Sequence, residues 1–221
     1  RDCMSVLDQL RIDQACIVGH SWGASVALHF AANFADRTHS VVLVDGGAFT
    51  PANIVDRGLI SRERLRVELT PPEGPFTQSQ LRAHYLPEEL GLSIEQQDCV
   101  MRAIDRTYQS APVTGLVTTI GIQRHMAVLD AFLDYNPDSD LELITVPAWI
   151  LVACDFYAST GVDILDDWAR AKYDADGKVQ GKMNIALQHW YGAVHDVPLY
   201  WPGRVARLIA HAAQRRGGGL M

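Results

Sequence analysis

The sequence has few cysteines, and none are arranged to cross-link a fold or hold zinc. Its 221 residues include four, at positions 3, 16, 99 and 154, and no two form a C-x-x-C pair. Cys16 and Cys154 lie in apolar runs, where cysteine behaves as a small buried hydrophobic residue. The pattern argues against a disulfide framework and a zinc site and favours a reducing compartment, so we expect a cytoplasmic protein.

Long apolar runs and clusters of positive charge are also missing. No run approaches the roughly 18 apolar residues that a membrane-spanning helix needs. The 19 Lys and Arg residues against 26 Asp and Glu give a net charge of -7. An acidic chain without a basic stripe is a poor candidate for binding nucleic acid or an anionic membrane. Neither kind of partner is therefore expected, and the oligomeric state is left open.

Short apolar runs alternate with helical patterns at both ends of the chain. The runs at 15–18, 40–44 and 146–154 are continuous, which is typical of strands buried on both faces of a parallel sheet. A last strand is predicted at 183–188. This alternation predicts an α/β fold with a mostly parallel sheet flanked by helices. The predicted helices are 2–11, 22–34, 161–173 and 204–214.

The segment between these two ends has a different character. From residue 48 to residue 145 there is no clear strand; the segment begins polar and rich in proline and then turns helical at 94–108 and 122–133. A structureless loop of this length inside a compact domain is improbable. We therefore predict a core of residues 1–47 and 146–221, with residues 48–145 inserted as a helical lid.

The strongest chemical signal is the sequence Gly-His-Ser-Trp-Gly at residues 19–23. It matches the G-x-S-x-G nucleophile elbow, and it stands between a predicted strand and a predicted helix, as that motif requires. So sharp a turn holds the serine, Ser21, in a strained backbone conformation. We expect that side chains at Gly19 and Gly23 would collide with the neighbouring strand and helix.

The residues that flank Ser21 are candidates for binding the oxyanion and the substrate. Ser21 stands at a helix N-terminus, where backbone N–H groups and the helix dipole favour developing negative charge. The N–H of Trp22 is the expected oxyanion donor, and the Trp22 ring is expected at the floor of the substrate pocket. His20 is expected to order the elbow.

A serine nucleophile needs a base and an acid. In proteins with this elbow the chain order is nucleophile, acid, histidine. His195, between the last predicted strand and the last helix, is the preferred base, and His189 is its nearest competitor. Asp155 follows the strand at 146–154, at the edge of the sheet where ligands gather, and is the preferred acid. Asp45, at the end of the preceding strand, is the alternative.

Residues 15–47 and 146–210 resemble the α/β-hydrolase superfamily, in particular members with a G-H-S-W-G elbow and a helical lid. The motifs that carry the resemblance are the elbow, the sequence Val-Asp-Gly-Gly at 44–47, the strand at 147–155 and the sequence His-Asp-Val-Pro-Leu at 195–199. The resemblance implies Ser21 as nucleophile, His195 as base and Asp155 as acid. Such a triad needs no metal or organic cofactor.

The resemblance also implies a reaction class. We expect a serine hydrolase that cleaves an ester-like bond of a small organic substrate through an acyl-enzyme. C–C bond hydrolysis or perhydrolase-type chemistry on the same triad, and a non-catalytic binding relative, are the alternatives. Family members carry about four strands before the elbow, whereas this chain begins one helix before it. The early strands are therefore expected to be missing, which could leave an inactive fragment.

Overall fold

The computed structural model describes residues 2–56, 58, 60–111, 115–154, 172 and 177–214. The strands are β1 (Ala15–His20), β2 (Thr38–Val44), β3 (Tyr108–Ser110), β4 (Leu116–Thr118), β5 (Ala148–Cys154) and β6 (Ile185–Tyr191). The helices are α1 (Asp2–Leu10), α2 (Trp22–Asn33), α3 (Pro51–Val55), α4 (Arg62–Glu68), α5 (Gln78–Tyr85), α6 (Ile94–Thr107), α7 (Ile122–Asp134), α8 (Asp138–Leu143), α9 (Val197–Tyr200) and α10 (Pro202–Gln214).

Four of the strands form one parallel sheet in the order β1-β2-β5-β6. The two central strands, β2 and β5, are buried along almost their whole length, which is why their sequences are continuous apolar runs. The predicted α/β class with a parallel sheet flanked by helices is confirmed. The helix predicted at 161–173 lies outside the described residues, apart from Lys172.

Helices cover both faces of this sheet, and side chains alternate between the faces along each strand. On one face, Val41 and Leu43 of β2 pack in a cluster with Ala24 and Leu28 of α2. On the other face, side chains of β2 and β5 pack in a cluster with those of α10. That second cluster includes Val42, Val44, Leu151, Val205 and Leu208. The sheet thus holds α2, and with it the end of β1, in a fixed position.

Within its described residues, the segment predicted to be a helical insertion contains five helices, α3 to α7, and a small hairpin before α8. Helices α6 and α7 agree with the helices predicted at 94–108 and 122–133. Strands β3 and β4 pair antiparallel, and Phe76 adds a bridge to Leu116. Three-residue strands carry too little alternation to be recognised in a sequence. The division into core and lid at residues 47 and 146 stays a prediction.

The last helix of this segment packs against the core. Leu141 of α8 lies in the same apolar cluster as Leu28 of α2. A buried carboxylate reinforces the contact, since Asp140 accepts hydrogen bonds from the Tyr135 hydroxyl (2.7 Å) and from His29 Nδ1 (2.9 Å). These contacts fasten the C-terminal end of the segment to the helix that follows the elbow.

Within the part of the chain that the structure describes, every helix is too short or too polar to cross a lipid bilayer.

Candidate active site

Ser21 stands at the turn between β1 and α2 and has an unusual backbone conformation. Its φ is 56° and its ψ is -126°, a region that non-glycine residues rarely adopt. The N–H of Ser21 donates to the carbonyl of Val44 in the neighbouring strand (3.0 Å), and its carbonyl accepts from the N–H of Ala24 (2.9 Å). Hydrogen bonds to both the sheet and the helix therefore hold the strained residue in place.

The glycines around Ser21 differ in how much room they have. A Cβ at Gly19 would lie 2.0 Å from the carbonyl oxygen of Gly23, and a Cβ at Gly46 would lie 2.4 Å from that of Ser21. A Cβ at Gly23 would meet no described atom within 4 Å. The expected collision at Gly23 is therefore wrong, because the missing side chain of this helical residue points into open space.

His195 follows β6 and reaches the serine. Its Nε2 lies 2.9 Å from the Ser21 Oγ, within hydrogen-bond range. The competing histidine, His189, lies within β6, and its ring is near that of Tyr191. The base candidate preferred from the sequence is thus the histidine that the fold brings to Ser21.

Asp45 supplies the carboxylate on the other side of the imidazole. Its Oδ2 lies 2.7 Å from His195 Nδ1, so Nδ1–H donates to the carboxylate and Nε2 is left to accept from the serine hydroxyl. Asp155, the preferred acid, lies outside the described residues. Among the described residues, the alternative, Asp45, is the aspartate that contacts the histidine, because the end of β2 lies beside the end of β1 that leads into Ser21.

Strand β5 holds Asp45 in position. The N–H of Asp45 donates to the carbonyl of Leu151 (2.8 Å), and its Oδ1 accepts from the N–H of Ala153 (2.8 Å). Asp45 has a positive φ of 45°, which turns the chain sharply as it leaves the strand. These contacts fix the carboxylate, and the carboxylate in turn fixes the orientation of the imidazole.

A buried lysine contacts the same carboxylate. Lys172 Nζ donates to Asp45 Oδ2 (2.9 Å) and to the carbonyl of Ala153 (3.1 Å), and the lysine side chain is 4% exposed. Sequence reasoning missed this residue, since a lysine in a predicted helix is ordinarily solvent-exposed. The sequence Val-Asp-Gly-Gly at 44–47 drew attention to Asp45 but gave no sign of its lysine partner.

Burial and neighbouring charges act on the Asp45 carboxyl in opposite directions. Burial raises its pKa, but the hydrogen bond from His195 and the positive charge of Lys172 outweigh burial, so that the pKa of Asp45 lies below its usual value of 3.8. Because folding lowers the pKa of this carboxyl, ionised Asp45 stabilises the fold at neutral pH. That contribution disappears as the pH falls below 3.8 and through the lower folded-state pKa.

His20 contacts the histidine loop instead of the serine side chain. Its Nε2–H donates to the carbonyl of His195 (2.8 Å), and the two imidazole rings are 5.0 Å apart. Burial lowers the pKa of His20, which favours the neutral ring at physiological pH. His20 thus ties the residue before the nucleophile to the loop that carries His195.

A cavity of about 340 Å³ opens beside Ser21 and His195. The Trp22 ring lines it and meets Phe132 edge-on at 5.2 Å. The remaining lining residues are Leu69, His125, Val128 and Leu129. Trp22 is thus at the pocket, as expected, and α7 supplies most of the opposite wall.

Three further aromatic residues of the inserted segment line a second cavity, of about 510 Å³. Phe76, Tyr85 and Tyr108 belong to it, and His125 lines both cavities. Among residues the structure describes, no group of three or more His, Cys, Asp or Glu side chains is placed to hold a metal ion.

The sequence profile of the alpha/beta hydrolase family matches residues 1–208. The chain belongs to this family. No curated protein sequence matches this hydrolase.

Solved structures agree with the hydrolase fold. E-2-(acetamidomethylene)succinate hydrolase superposes with a TM-score of 0.67 at 19% identity, over 97% of this chain and 72% of that one. The thioesterase domain from the curacin biosynthetic pathway gives 0.58 at 18% identity, over 95% and 70%. The enol-lactonase from Burkholderia xenovorans LB400 gives 0.54 at 17% identity, over 97% and 71%. At these identities the likeness concerns the fold alone.

The two glycines of the elbow should respond differently to a methyl group. Gly19→Ala should lower the free energy of unfolding of the hydrolase by about 2 kcal/mol or more, because the added Cβ overlaps backbone that is unable to move aside. Gly23→Ala is the matched control and should fold with unchanged or slightly higher stability, since alanine favours a helix. Urea unfolding followed by circular dichroism measures both; equal losses would contradict the elbow geometry.

Breaking the buried ion pair should destabilise the hydrolase. Asp45→Asn removes the carboxylate that pairs with the buried Lys172 ammonium and should cost about 3–5 kcal/mol. Asp45→Asn combined with Lys172→Met should recover much of this loss. Asp134→Asn, which breaks an exposed pair with Arg62, is the control and should cost at most about 1 kcal/mol. Urea unfolding tests the set, and a double variant no more stable than Asp45→Asn would refute the explanation.

Proposed function

We propose that this chain carries the catalytic machinery of a serine hydrolase that cleaves an ester-like bond in a small organic substrate. The observation that carries the proposal is the unbroken hydrogen-bonded series from Ser21 Oγ through the His195 imidazole to the Asp45 carboxylate, at 2.9 and 2.7 Å. Each atom has the partner that nucleophilic catalysis by serine requires. In this proposal Ser21 is the nucleophile, His195 the base and Asp45 the acid.

The proposed reaction proceeds through an acyl-enzyme. His195 Nε2 takes the hydroxyl proton as Ser21 Oγ attacks the carbonyl carbon, and Asp45 stabilises the imidazolium that forms. The imidazolium then protonates the departing alcohol or thiol, which leaves the acyl group on Ser21. Water, deprotonated by the same imidazole, attacks the acyl carbon and releases the carboxylic acid and the free serine.

The oxyanion of each tetrahedral intermediate needs hydrogen-bond donors. Trp22 is the first residue of α2, and the first N–H groups of a helix have no acceptor within the helix. The helix dipole adds partial positive charge at this end. We therefore assign the backbone N–H of Trp22 to the oxyanion. His20, which donates to the His195 carbonyl, acts in this proposal by holding the base in place.

The walls of the cavity indicate what the substrate carries. Apart from Ser21 and His195, the lining is the Trp22 ring, aliphatic side chains, Phe132 and one imidazole. Such a surface suits an apolar acyl or alkyl group. Because α7 supplies much of this wall, we propose that residues 48–145 act as a lid that shapes substrate choice. The names of the similar structures, a hydrolase, a thioesterase and an enol-lactonase, support an ester-like bond without selecting one substrate.

Removal of the nucleophile should abolish activity. Ser21→Ala should lose fluorophosphonate labelling and should hydrolyse 4-nitrophenyl esters at least about 10³-fold more slowly. Ser25→Ala, one turn further along α2 and buried, is the matched control and should keep the labelling. Labelling and ester turnover of both folded variants decide the question. A folded wild-type chain with neither reaction would favour a non-catalytic binding role.

Filling the cavity should shorten the acyl chains that the enzyme accepts. Val128→Trp should lower kcat/KM for hexanoate esters about tenfold or more relative to acetate esters, because each methylene in an apolar pocket contributes on the order of 1 kcal/mol or more. Ala127→Trp, at an exposed position of the same helix, should leave the chain-length preference unchanged. The dependence of kcat/KM on acyl-chain length is measured with a series of 4-nitrophenyl esters. The same chain-length preference in both variants would contradict the assignment of this cavity as the acyl site.

A further inference from the structure

One oxygen of Asp45 accepts hydrogen bonds from two partners. Asp45 Oδ2 accepts from His195 Nδ1 at 2.7 Å and from Lys172 Nζ at 2.9 Å. The carboxylate is fully buried and the lysine side chain is 4% exposed, whereas the His195 side chain is 47% exposed. The Lys172 amino group is therefore held against the oxygen that would stabilise the imidazolium. Catalysis by a Ser–His–Asp triad does not itself require such a cation.

Lys172 is held in this position by more than one contact. Besides Asp45, its ammonium donates to the carbonyl of Ala153 (3.1 Å) and stands 5.8 Å from the centre of the Phe49 ring. The amino group thus contacts Asp45 in the protein interior. Electrostatic interactions are stronger there than at a surface. A buried charge in contact with the proposed acid can act on the base through that acid.

The consequence concerns the charge that forms on His195 during catalysis. An uncompensated carboxylate would stabilise the imidazolium with a full negative charge. Here the Lys172 ammonium contacts the same oxygen, so it offsets part of that charge and would repel the imidazolium. The protonated form of His195 is therefore favoured less than it would be beside Asp45 alone.

We propose that Lys172 is a positioning residue that acts through Asp45 to keep His195 unprotonated, and so active, at lower pH than the triad would allow without it. This inference rests on the proposed serine-hydrolase function. It assigns a catalytic influence to a residue that the Ser21–His195–Asp45 series does not include.

Other charged and titratable groups also face His195. His20 contacts its carbonyl, Asp196 is its neighbour in the chain, and His125 lines the same cavity. Burial lowers the pKa of His20, although Asp196 and Asp45 oppose that shift. Substitution of Lys172 leaves all three groups in place. A difference between the pH profiles of Lys172 variants therefore reports on Lys172.

The test is the pH dependence of kcat/KM for a 4-nitrophenyl ester from about pH 5 to about pH 9, around the range in which histidine titrates. The acidic limb is the part of the profile in which kcat/KM falls as the pH is lowered. In Lys172→Met and Lys172→Gln its midpoint should shift to a pH about one unit higher, which is about a tenfold loss of kcat/KM at a pH on the limb. The plateau should change less than the limb. Lys172→Arg keeps the charge and should keep the limb near its wild-type position.

Lys178→Met is the matched control for the loss of one positive charge. Lys178 pairs with Asp138, an exposed carboxylate distant in the chain from the triad residues. This variant should leave the limb where it is in the wild type. A purely structural role of Lys172 would lower stability or activity without moving the limb, so urea unfolding of each variant accompanies the profiles.

Two outcomes would overturn the inference. One is a folded Lys172→Met or Lys172→Gln with the wild-type limb. The other is a failure of both neutral variants to fold while Lys172→Arg folds, which would assign Lys172 a structural role alone. Failure of the underlying function is a different result, since a wild-type chain without Ser21-dependent labelling and turnover would have no limb to move.

Discussion

The attachment of Asp45 to strand β5 is the constraint on which the rest of the site depends. Its N–H bonds to Leu151 and its Oδ1 accepts from Ala153, so both the backbone and the carboxylate are tied to the centre of the sheet. Its other carboxylate oxygen, Oδ2, then orients His195, and His195 in turn contacts Ser21. Because the sheet is rigid and fully buried here, an exposed histidine loop acquires a defined orientation.

Bringing a carboxylate into this position requires compensation, because an unpaired buried charge is strongly unfavourable. Asp45 receives hydrogen bonds from a backbone N–H, an imidazole and an ammonium. The same contacts that make the anion tolerable set its electrostatic effect on the imidazole. In the proposed mechanism stability and catalysis are therefore coupled at this residue, and a change at Lys172 is expected to alter both. A triad acid without a buried cation would leave the two properties more independent.

Local patterns allowed much of the fold and part of the site to be predicted. The elbow at 19–23 was recognised because its sharp turn depends on residues adjacent in the chain, and continuous apolar runs revealed the buried strands. Other features could not be predicted from the sequence. Strands β3 and β4 are too short to show a period, and the open space beside Gly23 depends on where the first turn of α2 points. Lys172 is a lysine with no local sign of burial.

By itself, the sequence determined the α/β class, the parallel strands, the serine at the elbow and the histidine after the last strand. Each of these follows from side-chain pattern or from order along the chain, which are local properties. Only the tertiary structure decided that Asp45 meets His195 and that Lys172 shares its oxygen. These partners are separated by 150 and 127 residues in sequence. Contacts between residues so far apart depend on strand order and packing, which a short segment of sequence does not reveal.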